Sequence, residues 1–123
     1  MWDKSPVLFA DVVEKAAVKH VKTIGRDIIS SLVDQSPKAS TNFVSNHNVS
    51  TGSPDWSYVE KTLGERGSEG EGLATIASMT KLQDLWFTNA TPYGEELEGG
   101  KSGQAPIGVY LPVFLFTAQM YKG

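Results

Sequence analysis

SPVLFADVVEKAAVKHVKTIGRDIISSLVDQSP, residues 5–37, keeps helical periodicity from end to end and sets the architecture of the chain. Ser5 is a helix cap, and Pro6 suits a first helical position because its φ is already helical and its missing N–H has no partner there. Ser36-Pro37 stops the helix, since the residue before a proline is pushed out of the α region. The spacing therefore predicts one helix of about 30 residues, roughly 45 Å long. At 100° per residue, Phe9, Val13, Ala16, Ala17, Val21, Ile24, Ile28 and Leu32 fall on one broad apolar stripe, the side expected to lie on a sheet.

The opposite ridge is basic. Lys15, Lys19, Lys22 and Arg26 recur at four, three and four residues, which aligns their charges along the helix. The bland reading of such a ridge is a solvated face; the functional one is contact with an acidic neighbour or with phosphates. His20 falls inside the apolar stripe, where a hydrogen-bonded core histidine is expected. His47 has no cysteine or carboxylate at ligand spacing, so no metal site is assigned.

Beyond the helix, alternation over 42–51 predicts a partly buried strand, ended by Gly52-Ser53-Pro54. Ser53-Pro54-Asp55-Trp56 is able to start a short helix with Trp56, Val59 and Leu63 on one side, with a turn and strand as the alternative. Residues 64–72 combine four glycines with Glu65, Glu69 and Glu71, which predicts a flexible acidic loop. Residues 73–80 read as a brief helix with Leu73, Ile76 and Ala77 inward. The run Leu85-Trp86-Phe87 within 84–88 predicts a central strand buried on both faces, with Trp86 between the long helix and the sheet.

Asn89, Pro92 and the glycines that follow are turn formers, so 89–108 reads as a turn, one short helical turn and a loop. Tyr93 and Leu97 share a face of that helical turn, while Glu95, Glu96 and Glu98 form an acidic patch near its start, where the backbone dipole favours negative charge. The motif Asn89, Pro92-Tyr93-Gly94, Leu97-Glu98-Gly99-Gly100 and Ser102-Gly103-Gln104-Ala105-Pro106-Ile107-Gly108 resembles, in order and spacing, the signature of the tail-completion (neck) proteins of long-tailed bacteriophages. Ser36-Pro37-Lys38-Ala39-Ser40-Thr41-Asn42-Phe43 is similar to a second segment of that family but lacks its Asp and Gly. Nothing between residues 51 and 72 matches the family.

The resemblance implies a structural virion protein that completes the tail or joins it to the head, as a ring around the DNA path. It implies other phage neck and tail proteins as partners (connector, tail terminator or tail tube), with DNA passing through without sequence-specific binding. Assembly would take place in the host cytoplasm. It also implies a C-terminal helix over the apolar residues that follow Gly108, with Pro112 at a kink or in the true first turn. The fold expected is α+β, one domain over 1–123: a long N-terminal helix on a small, mainly antiparallel sheet, with short helices and a C-terminal apolar helix. Interface candidates are Lys15, Lys19, Lys22, Arg26, Tyr93, Glu95, Glu96, Glu98, Gln104 and Pro106.

Composition narrows the rest. At 123 residues, 40% hydrophobic and 20% charged, the chain supports one modest core. A net charge of -3 argues against wrapping nucleic acid on a broad basic surface, and the absence of cysteine excludes disulfides and thiolate metal sites. The N-terminus lacks the basic-then-apolar layout of a signal peptide, and the longest apolar run falls far short of the ~20 residues that span a bilayer, so no membrane role is expected. Gly99-Gly100-Lys101-Ser102 mimics a phosphate-binding loop, but Glu95 stands where the first glycine must be. No nucleophile or second histidine lies near the glutamates, so neither an enzyme nor a cofactor is expected. The alternative to the virion reading is a small intracellular protein-binding module with mobile glycine-rich loops.

Overall fold

The computed structural model describes residues 6–38, 41–92 and 109–121, with the side chains of 6–13, 111, 112 and 116 outside that description. Helix α1 runs Pro6–Gln35, 30 residues, and ends directly before Ser36-Pro37. No glycine closes it. Instead Ser36 Oγ donates to the Leu32 carbonyl at 2.6 Å, and Lys38 Nζ donates to the carbonyls of Val33 at 2.7 Å and Ser36 at 3.1 Å. The ammonium thus sits on acceptors with no intrahelical partner, at the negative end of the helix dipole.

The remaining described elements are a 3-10 turn (Val44–Asn46), strand β1 (Asn48–Thr51), helix α2 (Glu69–Ala77), strand β2 (Leu85–Thr88) and helix α3 (Tyr110–Met120). β1 and β2 pair antiparallel, with Asn48 opposite Thr88, Val49 opposite Phe87, Ser50 opposite Trp86 and Thr51 opposite Leu85. The α+β arrangement is the one expected: a long N-terminal helix, a small antiparallel sheet, short helices and an apolar C-terminal helix.

The buried side of α1 is rotated from the expected stripe. Val18, Gly25, Ile29, Leu32 and Val33 are buried, whereas Ala16 is exposed and Val21, Ile24 and Ile28 are half-buried. Two partners share the helix, which explains the rotation. Ile29 and Val33 pack with Val44 and Ile76 under the sheet, while Leu32 packs with Phe43, Val109 and Val113 beside α3; Phe87 touches both clusters. Burying each such aliphatic side chain contributes about 1.5–3 kcal/mol, so these two clusters hold the helices to the sheet. The new seam centres near Gly25 and Ile29, and Gly25 admits Leu85 and Ile76 because it lacks a side chain.

Four local expectations are corrected. Residues 42–47 are a buried 3-10 turn over Val44–Asn46 rather than the first half of a strand. Six consecutive buried residues, 42–47, do not fit an alternating strand, and Asn46 turns back to bond the Asn42 carbonyl at 2.8 Å. The 54–64 segment is not helical, and Trp56, Val59 and Leu63 are exposed. The 64–72 stretch is ordered into a turn and the start of α2, because its glycines permit close approach. Gly67 has φ +49°, and a Cβ there would stand 2.1 Å from the Val44 carbonyl oxygen; one on Gly72 would meet Ile29 and Val49 at 2.8 and 2.9 Å. β2 is covered on one side only, so Leu85 and Phe87 face the core and Trp86 is 40% exposed. Among the described residues no second layer lies over the outer side of this two-stranded sheet. Of the residues expected inward on α2, Leu73 and Ile76 are so and Ala77 is exposed.

Candidate partner surface and the buried histidine

The basic ridge does not stand opposite the core. With the buried seam rotated, Lys22 reaches its rim, where Nζ donates to the Ala77 carbonyl at 3.1 Å and caps the C-terminus of α2. Arg26 is exposed and donates to Thr23 Oγ1 within its own helix at 3.3 Å. Lys15 and Lys19 are exposed. The ridge therefore divides into a structural cap, Lys22, and cations on an open face. Tyr93, Glu95, Glu96, Glu98, Gln104 and Pro106 lie outside the described residues, so only half of the expected charge pairing has a place in the structure.

His20 is exposed, with its ring edge-on to Tyr121 at 5.8 Å, and is not the core histidine that its position on the stripe predicted. That role belongs to His47, which is 3% exposed. Its Nε2 lies 2.6 Å from Ser36 Oγ, and its Nδ1 lies 2.8 Å from the Tyr110 hydroxyl and 3.3 Å from Asn89 Nδ2. Partners fix the proton. Ser36 Oγ gives its hydrogen to the Leu32 carbonyl, so His47 must donate from Nε2 and accept at Nδ1. Asn89 is oriented in turn, because its Oδ1 accepts from the Thr91 N–H and hydroxyl while its Nδ2 also donates to the Phe43 carbonyl at 2.9 Å.

Burial, and secondarily the charge of Lys38, push the His47 pKa down from 6.5 to about 3. The ring is neutral at every ordinary pH. A serine beside a histidine resembles a nucleophile with its base, but Ser36 is only 4% exposed and its hydrogen is directed at a backbone carbonyl. The constellation ties four pieces of chain together: the end of α1, the 3-10 turn, the exit of β2 and the start of α3. Among the described residues no buried side-chain N or O lacks a partner, so the network is fully satisfied.

A second polar system surrounds the 3-10 turn. Ser68 Oγ donates to the Val44 carbonyl at 3.0 Å and accepts the His47 N–H at 3.1 Å. Arg66 binds Asp34 at 2.5 Å and Glu69 through two nitrogens, which ties the first turn of α2 to the last turn of α1. Those hydrogen bonds hold the Glu69 carboxyl below the usual carboxylate range and raise the Arg66 guanidinium further. Arg66 is about half exposed, so the pair orients α2 more than it stabilises it.

Among the described residues no group of three or more His, Cys, Asp or Glu is placed to hold a metal ion, and no helix is long and apolar enough to cross a membrane. No protein-family model, no curated protein and no solved structure matches this chain. Composition alone hid the buried histidine. The one available signal was the density of Asn, Ser and His in Asn42-Phe43-Val44-Ser45-Asn46-His47-Asn48, too polar for a core strand unless the side chains bond one another.

Proposed function

We propose that this protein is a structural component of a tailed-bacteriophage virion, completing the tail or joining it to the head at the neck, and that it works as a ring around the DNA path rather than as an enzyme. The observation that carries this reading is the spaced motif from Asn89 through Pro92-Tyr93-Gly94 and Leu97-Glu98-Gly99 to Gln104-Ala105-Pro106-Ile107-Gly108. Its partners are the connector, tail terminator or tail tube on either side, and other copies of itself. The long helix on a small antiparallel sheet agrees with the fold that the resemblance implies.

A closed ring needs two different patches that meet head to tail. The cations on the open face of α1 supply one, and Glu95, Glu96 and Glu98 of a neighbouring copy supply the other. Single exposed pairs contribute about 0–1 kcal/mol, but repeated round a ring they add and fix which surfaces meet. Lys19→Glu with Arg26→Glu tests the ridge without touching the Lys22 cap. The variant should fold, while particles accumulate as separate heads and tails. Wild-type numbers of joined, infectious particles would return the ridge to a solvated face. Loss of some other binding activity with joining intact would favour a small binding module instead.

A further inference from the structure

β2 pairs with β1 through only half of its backbone. The Gly52 N–H donates to the Asp84 carbonyl at 2.9 Å and continues the ladder, so Asp84, Trp86 and Thr88 turn their backbone groups toward β1. Leu85 and Phe87 turn theirs away. Among the described residues nothing bonds the N–H or C=O of these two. The outer edge of β1 leaves Val49 and Thr51 open in the same way, but it borders a polar cleft that holds Asp55, Lys61 and Glu71. Charges of that kind guard an edge against pairing.

The surroundings of the β2 edge are apolar instead. A groove of about 300 Å³ lies between α1 and this edge, with Val21, Ile24 and Ile28 on one side and Leu85 and Phe87 on the other. That is twice the ~150 Å³ that holds a benzene ring, so two aliphatic side chains fit. Phe114 of α3, 39% exposed and with its ring 6.3 Å from Phe87, extends the apolar surface. Free N–H and C=O groups at strand spacing, set over pockets for alternate side chains, form a template that another extended backbone completes.

We propose that β2 takes an extended segment of another protein as an antiparallel third strand, one with apolar residues at alternate positions and a lysine or arginine beside them. Residues paired with Leu85 and Phe87 share their face of the sheet, so those side chains enter the groove. The residue opposite Asp84 meets an exposed carboxylate that pairs with no cation among the described residues, and a basic side chain belongs there. A second copy is a poor occupant. α3 stands on the flank of α1 that a second helix-backed sheet would need, since Tyr121 donates to the Asp27 carboxylate and Val113 packs on Leu32. Nor does 93–108 supply the pattern, because its only apolar pair two residues apart is Ala105 and Ile107, followed by Gly108 where the cation belongs. The contact rests on the edge and the groove alone and is independent of the neck reading.

The test titrates the full-length chain with a synthetic peptide containing Thr-Val-Thr-Val-Lys, which sets valines opposite Phe87 and Leu85 and lysine opposite Asp84. A control containing Thr-Thr-Val-Val-Lys has the same composition but presents only one valine to the groove. The expected result is saturable binding of the first peptide, with slower hydrogen exchange at the Leu85 and Phe87 amides, and at least several-fold weaker binding of the control. Asp84→Lys should keep the fold, weaken the first peptide several-fold, and bind a version ending in Asp in its place. Equal binding of the two peptides overturns the proposal, as does no saturable binding to the folded wild-type chain. Protection of those two amides that rises with protein concentration alone also overturns it and assigns the edge to a second copy.

Discussion

His47 Nε2 lies 2.6 Å from Ser36 Oγ, and the contact locks the end of α1 to the 3-10 turn that leads into β1. A neutral imidazole is required, since a second proton would be placed at Nδ1, which already receives the Tyr110 hydroxyl and Asn89 amide. Protonation therefore acts against the folded state. The group binds its proton at 6.5 when exposed and at about 3 when folded, so the unfolded chain holds more protons throughout that interval.

Stability is then full above pH 6.5 and falls as the pH drops toward 3, by an amount on the order of 4 kcal/mol at the bottom of the range. The hydrogen-bonded carboxyls of Asp55 and Glu69 act in the same direction but lower, which leaves pH 6.5–5 as the window for the histidine. Urea midpoints of wild type and His47→Gln should converge across that window, because only the wild type loses stability to His47 protonation. Parallel curves would show that the ring is solvated.

Gly67→Ala should cost more than about 2 kcal/mol, because the new Cβ meets a backbone carbonyl and φ is positive. Gly64→Ala, at φ +89° in open space, is the control and should cost about 1 kcal/mol. Equal thermal shifts for the two would mean that the 64–68 turn is not packed on the 3-10 turn.

Trp86→Ala should cost only about 1 kcal/mol, since the indole stands on the open side of β2 opposite Ser50. Phe87→Ala, which empties a position shared by both clusters, should cost about 3 kcal/mol. The reverse order would place the sheet the other way up.

The long helix was legible because its periodicity is unbroken and Ser36-Pro37 stops it locally, through the restriction on the residue before proline. Its buried side was not, because the two bodies that cover it, α2 with the sheet and α3, are distant in sequence and share the face between them. The 64–72 stretch misled for a related reason. Its glycines have the composition of a loose loop, but Gly67 and Gly72 are there to let backbone and side chains of the 3-10 turn, α1 and β1 come close. Asn42, Ser45, Asn46 and Asn48 look like surface residues until their role as anchors for 55–63 is visible. Of the candidate interface, the cations of α1 could be read from spacing, while the division of Lys22 from the rest depended on where α2 ends.

The proposed neck role is tested most directly by imaging purified phage particles by cryo-electron microscopy with this subunit labelled, beside its mass in solution. The expected result is label as a closed ring at the junction of head and tail, coaxial with the DNA channel. Label absent from joined particles, or placed elsewhere on the virion, would contradict it.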